Sequence, residues 1–279
     1  MSIQTVTTVL TDKETAVSQI EAAASFARTC DAHLQVLALG TGLDQPGVVQ
    51  GALDAVPISA SLEDGMLRAK ELAEVAEQEL AKEDIRWDVD EVSSLTSSRS
   101  NDITRHIRFS DLVIQQRSSD RVAAAHVAQT AETVLFDGDC PLLLLPERHE
   151  MSAPPKKVMV AWDESATALR AARLALPLLR RASSVYVAIV DPAKDSPDRS
   201  DPGGAFAQFL ARHDVKCEVM VLSRTDDTVS QTIERRAQEL GCDLVVMGAY
   251  GHSRLRQALF GGTTRHMLES AILPVFLAH

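Results

Sequence analysis

A chain of 279 residues, 45% hydrophobic and 24% charged, is long enough for one large domain or two ordinary ones, each with a sound apolar core. Its strongest apolar run, Leu142-Leu143-Leu144-Leu145 between Pro141 and Pro146, falls far short of the ~20 residues that cross a bilayer, and no basic cluster leads an apolar stretch at the start, so neither a membrane partner nor a secretory signal is expected and the chain is assigned to the cytoplasm. The net charge of −11 is unevenly divided, with 12 Lys+Arg against 25 Asp+Glu in residues 1–150 and 16 against 14 in residues 151–279, and so acidic a front half argues against nucleic acid as a partner.

Each half reads as strand, helix, strand, a variable stretch, helix, strand, helix, strand, helix, strand. In the first, Thr7-Thr8-Val9-Leu10 is a strand that ends ahead of Asp12. An insertion at residues 43–80 carries Leu62, Met66, Ala69, Leu72, Ala73, Ala76 and Leu80 at the spacing of an amphipathic helix, a stripe expected to pack into the core. Leu112-Val113-Ile114 is another strand, followed by Gln116, Arg117, Ser118 and Ser119. Residues 120–130 then lead without a glycine to a helix around Glu132-Thr133-Val134-Leu135 and a last strand ending at Leu145. Residues 147–155, stiffened by Pro154-Pro155, join the halves and set domains of 1–150 and 151–279.

The second half is clearer. Val158-Met159-Val160-Ala161-Trp162 is a strand ending at Asp163, and residues 166–181 carry Leu169, Ala172, Leu176 and Leu179 at helical spacing. Strands follow at residues 185–190 and 217–222, then a helix at 228–240 closed by Gly241, a strand at 244–247, a helix at 263–270 and a strand at 273–277. The halves also match in detail, Ser110-Asp111-Leu112-Val113-Ile114 against Cys242-Asp243-Leu244-Val245-Val246, with Asp12 in the place of Asp163. Continuous Val/Ile/Leu/Met strands alternating with helices predict an α/β fold with a parallel sheet buried on both faces. Ligands of such sheets bind beyond the carboxyl ends of the strands, where Asp163, Asp191 and the glycines after Met247 fall.

Cys30, Cys140, Cys217 and Cys242 form no Cys-x-x-Cys pair, and the eight histidines are scattered. No metal-ligand spacing results, and the cysteines are expected to be small buried thiols.

The most informative run is Val245-Val246-Met247-Gly248-Ala249-Tyr250-Gly251, followed after nine residues by Gly261-Gly262-Thr263-Thr264. It sets glycines at both ends of one loop, behind a buried strand and ahead of a helix. Without a Cβ the backbone approaches a ligand closely, and successive N–H groups with the first turn of a helix face an anion. The spacing Gly-x2-Gly-x9-Gly resembles the nucleotide loop of the universal stress protein family. There the last glycine is followed by Ser or Thr; here Gly262 stands in that place and the hydroxyl arrives at Thr263.

The resemblance extends to both halves, as a tandem member of the family with the motif in the second half only. It implies two Rossmann-like domains of the adenine nucleotide alpha hydrolase-like type, each a five-stranded, mainly parallel sheet flanked by helices. It implies pairing of the last strands as an internal pseudo-dimer, homodimers of the chain, and binding of ATP or AMP without a defined reaction. Carried over by position, Ala161 and Asp163 flank the adenosine, with the carboxylate near the ribose, and Ile189 meets adenine through its backbone. Met247, Gly248, Tyr250 and Gly251 line the ribose and first phosphates, while Gly261, Gly262 and Thr263 hold the outer ones. Helix capping is the alternative role for Asp163, Thr263 and Thr264.

Other nucleotide sites lack their signatures. A dinucleotide fold needs Gly-x-Gly-x-x-Gly where Trp162-Asp163-Glu164-Ser165-Ala166-Thr167 stands, and neither a P-loop nor a Gly-x-Ser-x-Gly elbow occurs. The favoured reading is a regulatory, stress-response protein with no catalytic residues, in which nucleotide shifts a conformational or assembly equilibrium. The rivals are a slow ATPase or autophosphorylating enzyme using Ser253, Thr263 or Thr264, and a module acting by protein contact alone. Phosphoryl transfer would bring Mg²⁺, for which Asp163 and Asp191 are the nearby carboxylates, but the loop has no lysine.

Overall fold

The computed structural model describes residues 2–42, 58–192, 201–249 and 262–279. They divide into two compact units, one of Ile3–Cys140 with Glu147–Ser152, the other containing Pro141–Pro146 with Ala153–His279.

The first unit runs β1 (Thr5–Leu10), α1 (Lys13–Cys30), β2 (His33–Gly42), α2 (Ile58–Leu80), β3 (Trp87–Leu95), α3 (Arg99–Ile107), β4 (Leu112–Gln116) and α4 (Arg121–Glu132), which passes into a π-helical turn at Thr133–Asp137. Its strands lie in the order β3-β2-β1-β4, all parallel. Asp12 caps α1, its Oδ1 accepting the Glu14 and Thr15 N–H groups at 2.7 and 3.4 Å. The predicted stripe of α2 holds at Ala69, Leu72, Ala73, Ala76 and Leu80, but Met66 is 62% exposed. The helix instead turns Gly65 inward, where a Cβ on Gly40 would meet the Gly65 carbonyl oxygen at 1.9 Å. Of residues 120–130, expected to precede the last helix, all beyond Asp120 are already helical. With no glycine to interrupt it, α4 starts at Arg121 under the cap of Asp120, whose Oδ1 accepts the Val122 and Ala123 N–H groups at 2.9 Å each.

The second unit runs β5 (Leu142–Leu145), β6 (Lys157–Ala161), α5 (Ala166–Leu179), β7 (Ser184–Val190), α6 (Gly204–Arg212), β8 (Cys217–Leu222), α7 (Val229–Leu240), β9 (Leu244–Gly248), α8 (Gly262–Ser270) and β10 (Val275–Ala278). The order is β5-β10-β9-β6-β7-β8. All these pairs are parallel except β5 with β10, where Leu143 lies opposite Phe276. The four leucines of β5 are fully buried, which removes an apolar edge from water at roughly 1.5–3 kcal/mol per side chain. Thr228 and Gln231 form a capping box on α7, and Gly241, at φ 66°, ends it as predicted. Both units thus share one strand order, in which β1 and β6, and β4 and β9, hold like places. Among the described residues no helix is long and apolar enough to cross a membrane.

Candidate functional site

The predicted site lies where β7, β6 and β9, neighbours in the second unit, reach their carboxyl ends. Ala161 closes β6 and pairs in register with Ala188, next to Ile189 on β7; Met247 and Gly248 close β9. Ile189 and Met247 are each 5% exposed, so their side chains pack into the core beneath the strand ends.

Beyond Ala161 the chain turns sharply, with Glu164 at φ 63°. Asp163 is exposed and its Oδ1 accepts the Ser165 N–H at 3.1 Å. Ser165, not Asp163, caps α5, its Oγ accepting the Ala168 N–H at 3.1 Å. The capping alternative for Asp163 is therefore taken by its neighbour, and the Asp163 carboxylate stabilises the turn that leads into the cap.

Gly248 is fixed by a close approach. A Cβ there would stand 2.6 Å from Ala168 N and 2.7 Å from the Thr167 carbonyl carbon, so only glycine lets β9 end against the first turn of α5. The strand end is then pinned to β10, Ala249 N–H donating to Ala278 O at 2.8 Å, with His279 Nδ1 3.0 Å from Ala249 O. Tyr250, Gly251 and Gly261 lie outside the described residues, as does Ser253. Gly262 opens α8 and is exposed, and a Cβ on it would meet nothing within 4 Å. Thr263 is half-buried and Thr264 buried.

Two features escaped the sequence reading. Trp162 stacks on Phe206 of α6 with ring centroids 3.9 Å apart and planes 3° from parallel. Gly203, at φ 78°, lets the start of α6 close over β7, since a Cβ there would come within 2.8 Å of Ile189 Cδ1. The signal was present as Gly203-Gly204 ahead of Phe206, but spacing alone does not tell which aromatic meets which.

The carboxylates do not assemble a metal cage. Asp191, at φ 45°, accepts the Arg224 N–H at 3.1 Å, which ties the end of β7 to the loop after β8. Among the described residues no group of three or more His, Cys, Asp or Glu is placed to hold a metal. A row of Glu234, His266 and Ser270 invites comparison with an acyl-transfer triad, with Glu234 Oε2 3.1 Å from His266 Nε2. Ser270 Oγ, however, lies 3.0 and 3.3 Å from both ring nitrogens, over the ring and out of its plane, and donates to His266 O at 2.7 Å. That geometry gives no activated nucleophile. A shallow groove of about 480 Å³ runs along α7 beside Glu234 and contains none of the predicted site residues.

In the first unit the place after β4 is filled by side chains. Gln116, where β9 has Gly248, accepts a hydrogen bond from Ser18. Gln19 donates to Thr8 Oγ1 at 2.9 Å and Val9 O at 2.8 Å, and Gln115 donates to Val9 O at 3.2 Å. This buried amide network is satisfied without a ligand.

Residues 154–279 match the universal stress protein family. A universal stress protein of Synechocystis sp. is 25% identical over 169 residues, which span 60% of this chain and 57% of that relative, little more than half its length. Among solved structures, a universal stress protein from Archaeoglobus fulgidus superposes with a TM-score of 0.71 at 16% identity, covering 98% of this chain and 97% of that one. A functionally unknown protein from Pseudomonas aeruginosa superposes at 0.56 with 16% identity, covering 99% and 92%. The mixed α/β, mostly parallel fold is the one these proteins share.

Proposed function

We propose, on the premise that residues 154–279 form a universal stress protein domain, that this domain binds one adenine nucleotide, ATP or AMP, and that the chain is a regulatory stress-response protein for which the nucleotide is a conformational ligand. The observation that carries the reading is the close approach of β9 to α5 at Gly248, at the carboxyl end of the strand that pairs with β6, which Asp163 follows with an exposed carboxylate. An aspartate accepts hydrogen bonds from ribose hydroxyls, and the N-terminus of α8, open at Gly262, favours phosphate charge by about 0.3–1 kcal/mol. Tyr250, Gly251 and Gly261 complete the loop in this reading, with Thr263 at the outer phosphates.

The first unit takes no nucleotide in this reading, because Gln116, held by Ser18, stands where the second unit has Gly248. The two units are a tandem pair of one domain, of which residues 1–150 have lost the loop, and the chain works in the cytoplasm as a homodimer. Nucleotide is held and not turned over: the described residues offer no lysine clamp or in-line base. The test is mass spectrometry of ligand released from freshly purified protein, followed by calorimetric titration with ATP and AMP. A retained adenine nucleotide with negligible ADP release on incubation supports the reading; multiple turnovers at ~1 s⁻¹ that vanish in Asp163→Ala replace it with the enzymatic one.

A further inference from the structure

The first unit seals a cation inside a helix pair. Arg99 opens α3 and is 9% exposed. Its Nη1 donates to Gln129 Oε1 at 2.8 Å, and its Nη2 to Thr130 Oγ1 at 3.0 Å and, more weakly, to His126 O at 3.5 Å. Its Nε is buried and has no acceptor. Every acceptor is neutral and belongs to α4, and among the described residues no carboxylate pairs with this guanidinium. Taking a cation out of water is costly unless an opposite charge goes with it, so folded proteins pair buried charges or bind ions to them.

A second, independent observation sits on α4. His126 Nδ1 is buried and also lacks a partner. Burial and the charge of Arg99 push its imidazole pKa down, with Asp12 pulling the other way. An anion arriving here would answer both nitrogens.

We propose that Arg99, with His126, receives a tetrahedral oxyanion, the phosphate group of a small ester or free phosphate, between α3 and α4. Gln129 is the removable stopper: it is exposed, and it holds Nη1 through a neutral amide that an oxyanion replaces with a charge-assisted bond. The guanidinium fork suits two oxygens of one phosphate. The position also fits. Arg99 follows the carboxyl end of β3, the end of a parallel sheet at which small ligands gather. This site is independent of the glycine loop and uses side chains where the second unit uses backbone.

The experiment is nitrogen-15 NMR of arginine Nε–H and histidine ring signals in the full chain, titrated with sodium phosphate, with glycerol 3-phosphate, and with sodium chloride at matched ionic strength. Arg99→Lys identifies the Arg99 signal. The Arg99 and His126 signals should move along a common saturating curve with phosphate and not with chloride, and the His126 pKa should rise when the anion is bound. Tighter binding of the ester assigns an organic ligand, and equal binding assigns the free oxyanion; either supports the site. Gln129→Ala, its fold checked by circular dichroism, should bind at least as tightly as the parent. Arg99 and His126 signals that follow chloride as they follow phosphate, or that stay still while signals elsewhere respond, would overturn the proposal.

Discussion

Gly248 and Thr167 touch backbone to backbone: a Cβ on the glycine would stand 2.7 Å from the Thr167 carbonyl carbon and 2.7 Å from its Oγ1. The contact sets the distance between the end of β9 and the first turn of α5, and so the width of the candidate site. Gly248→Ala should force them apart and lower stability by roughly 1–3 kcal/mol, the usual range for overpacking. Urea denaturation measures it, and an unchanged midpoint would mean that the strand end yields freely and does not position the site.

Ser165 and Asp163 should separate in their effects. Ser165→Ala removes the α5 cap and should cost about 1 kcal/mol. Asp163→Ala loses only a turn hydrogen bond at an exposed position, so its stability loss should be smaller while nucleotide affinity falls by roughly tenfold or more, the worth of one charge-assisted hydrogen bond. Equal stability loss with unchanged affinity would assign Asp163 to the turn alone.

Gly262→Ser tests the departure from the family loop. A side chain there meets open space, so the fold should tolerate it, and a hydroxyl at the phosphate end should tighten ATP binding several-fold. Weaker binding in this variant would show that the loop depends on glycine at that position.

Burial pushes the Cys140 thiol up to about 12 and the Cys242 thiol up to about 11, from an ordinary 9.0. Two results follow. Neither should react with iodoacetamide at pH 8 in the folded protein, since the thiolate is the nucleophile. Above pH 9 the unfolded thiols ionise and the folded ones do not, so the unfolded state binds fewer protons and stability falls as pH rises toward 12. Rapid alkylation of Cys140 at pH 8, read by peptide mapping, would place it nearer the surface.

The strands and helices of the second unit were legible because each apolar run is continuous and each helix carries its own stop or cap, as at Thr228 and Gly241. Boundaries slip where the signal is local chemistry: the cap of α5 is Ser165 although the Asp163 carboxylate is the stronger acceptor nearby. In the first unit the absence of glycine after β4 is plain in the sequence. What it permits, a helix running from Arg121, depends on the cap at Asp120. Met66 was assigned to the core by spacing, yet Gly65 takes the inward place because α2 and β2 approach at Gly40. The Trp162–Phe206 stack and the unpaired Arg99 arise from elements far apart in sequence, and no periodicity reports them.

The most direct test of the central claim is an equilibrium titration of the full chain with ATP, counting sites by calorimetry and repeating it with Gly261→Val. One site per chain is expected, lost in the variant while the fold survives by circular dichroism. Two sites per chain, or one that Gly261→Val leaves intact, would contradict it.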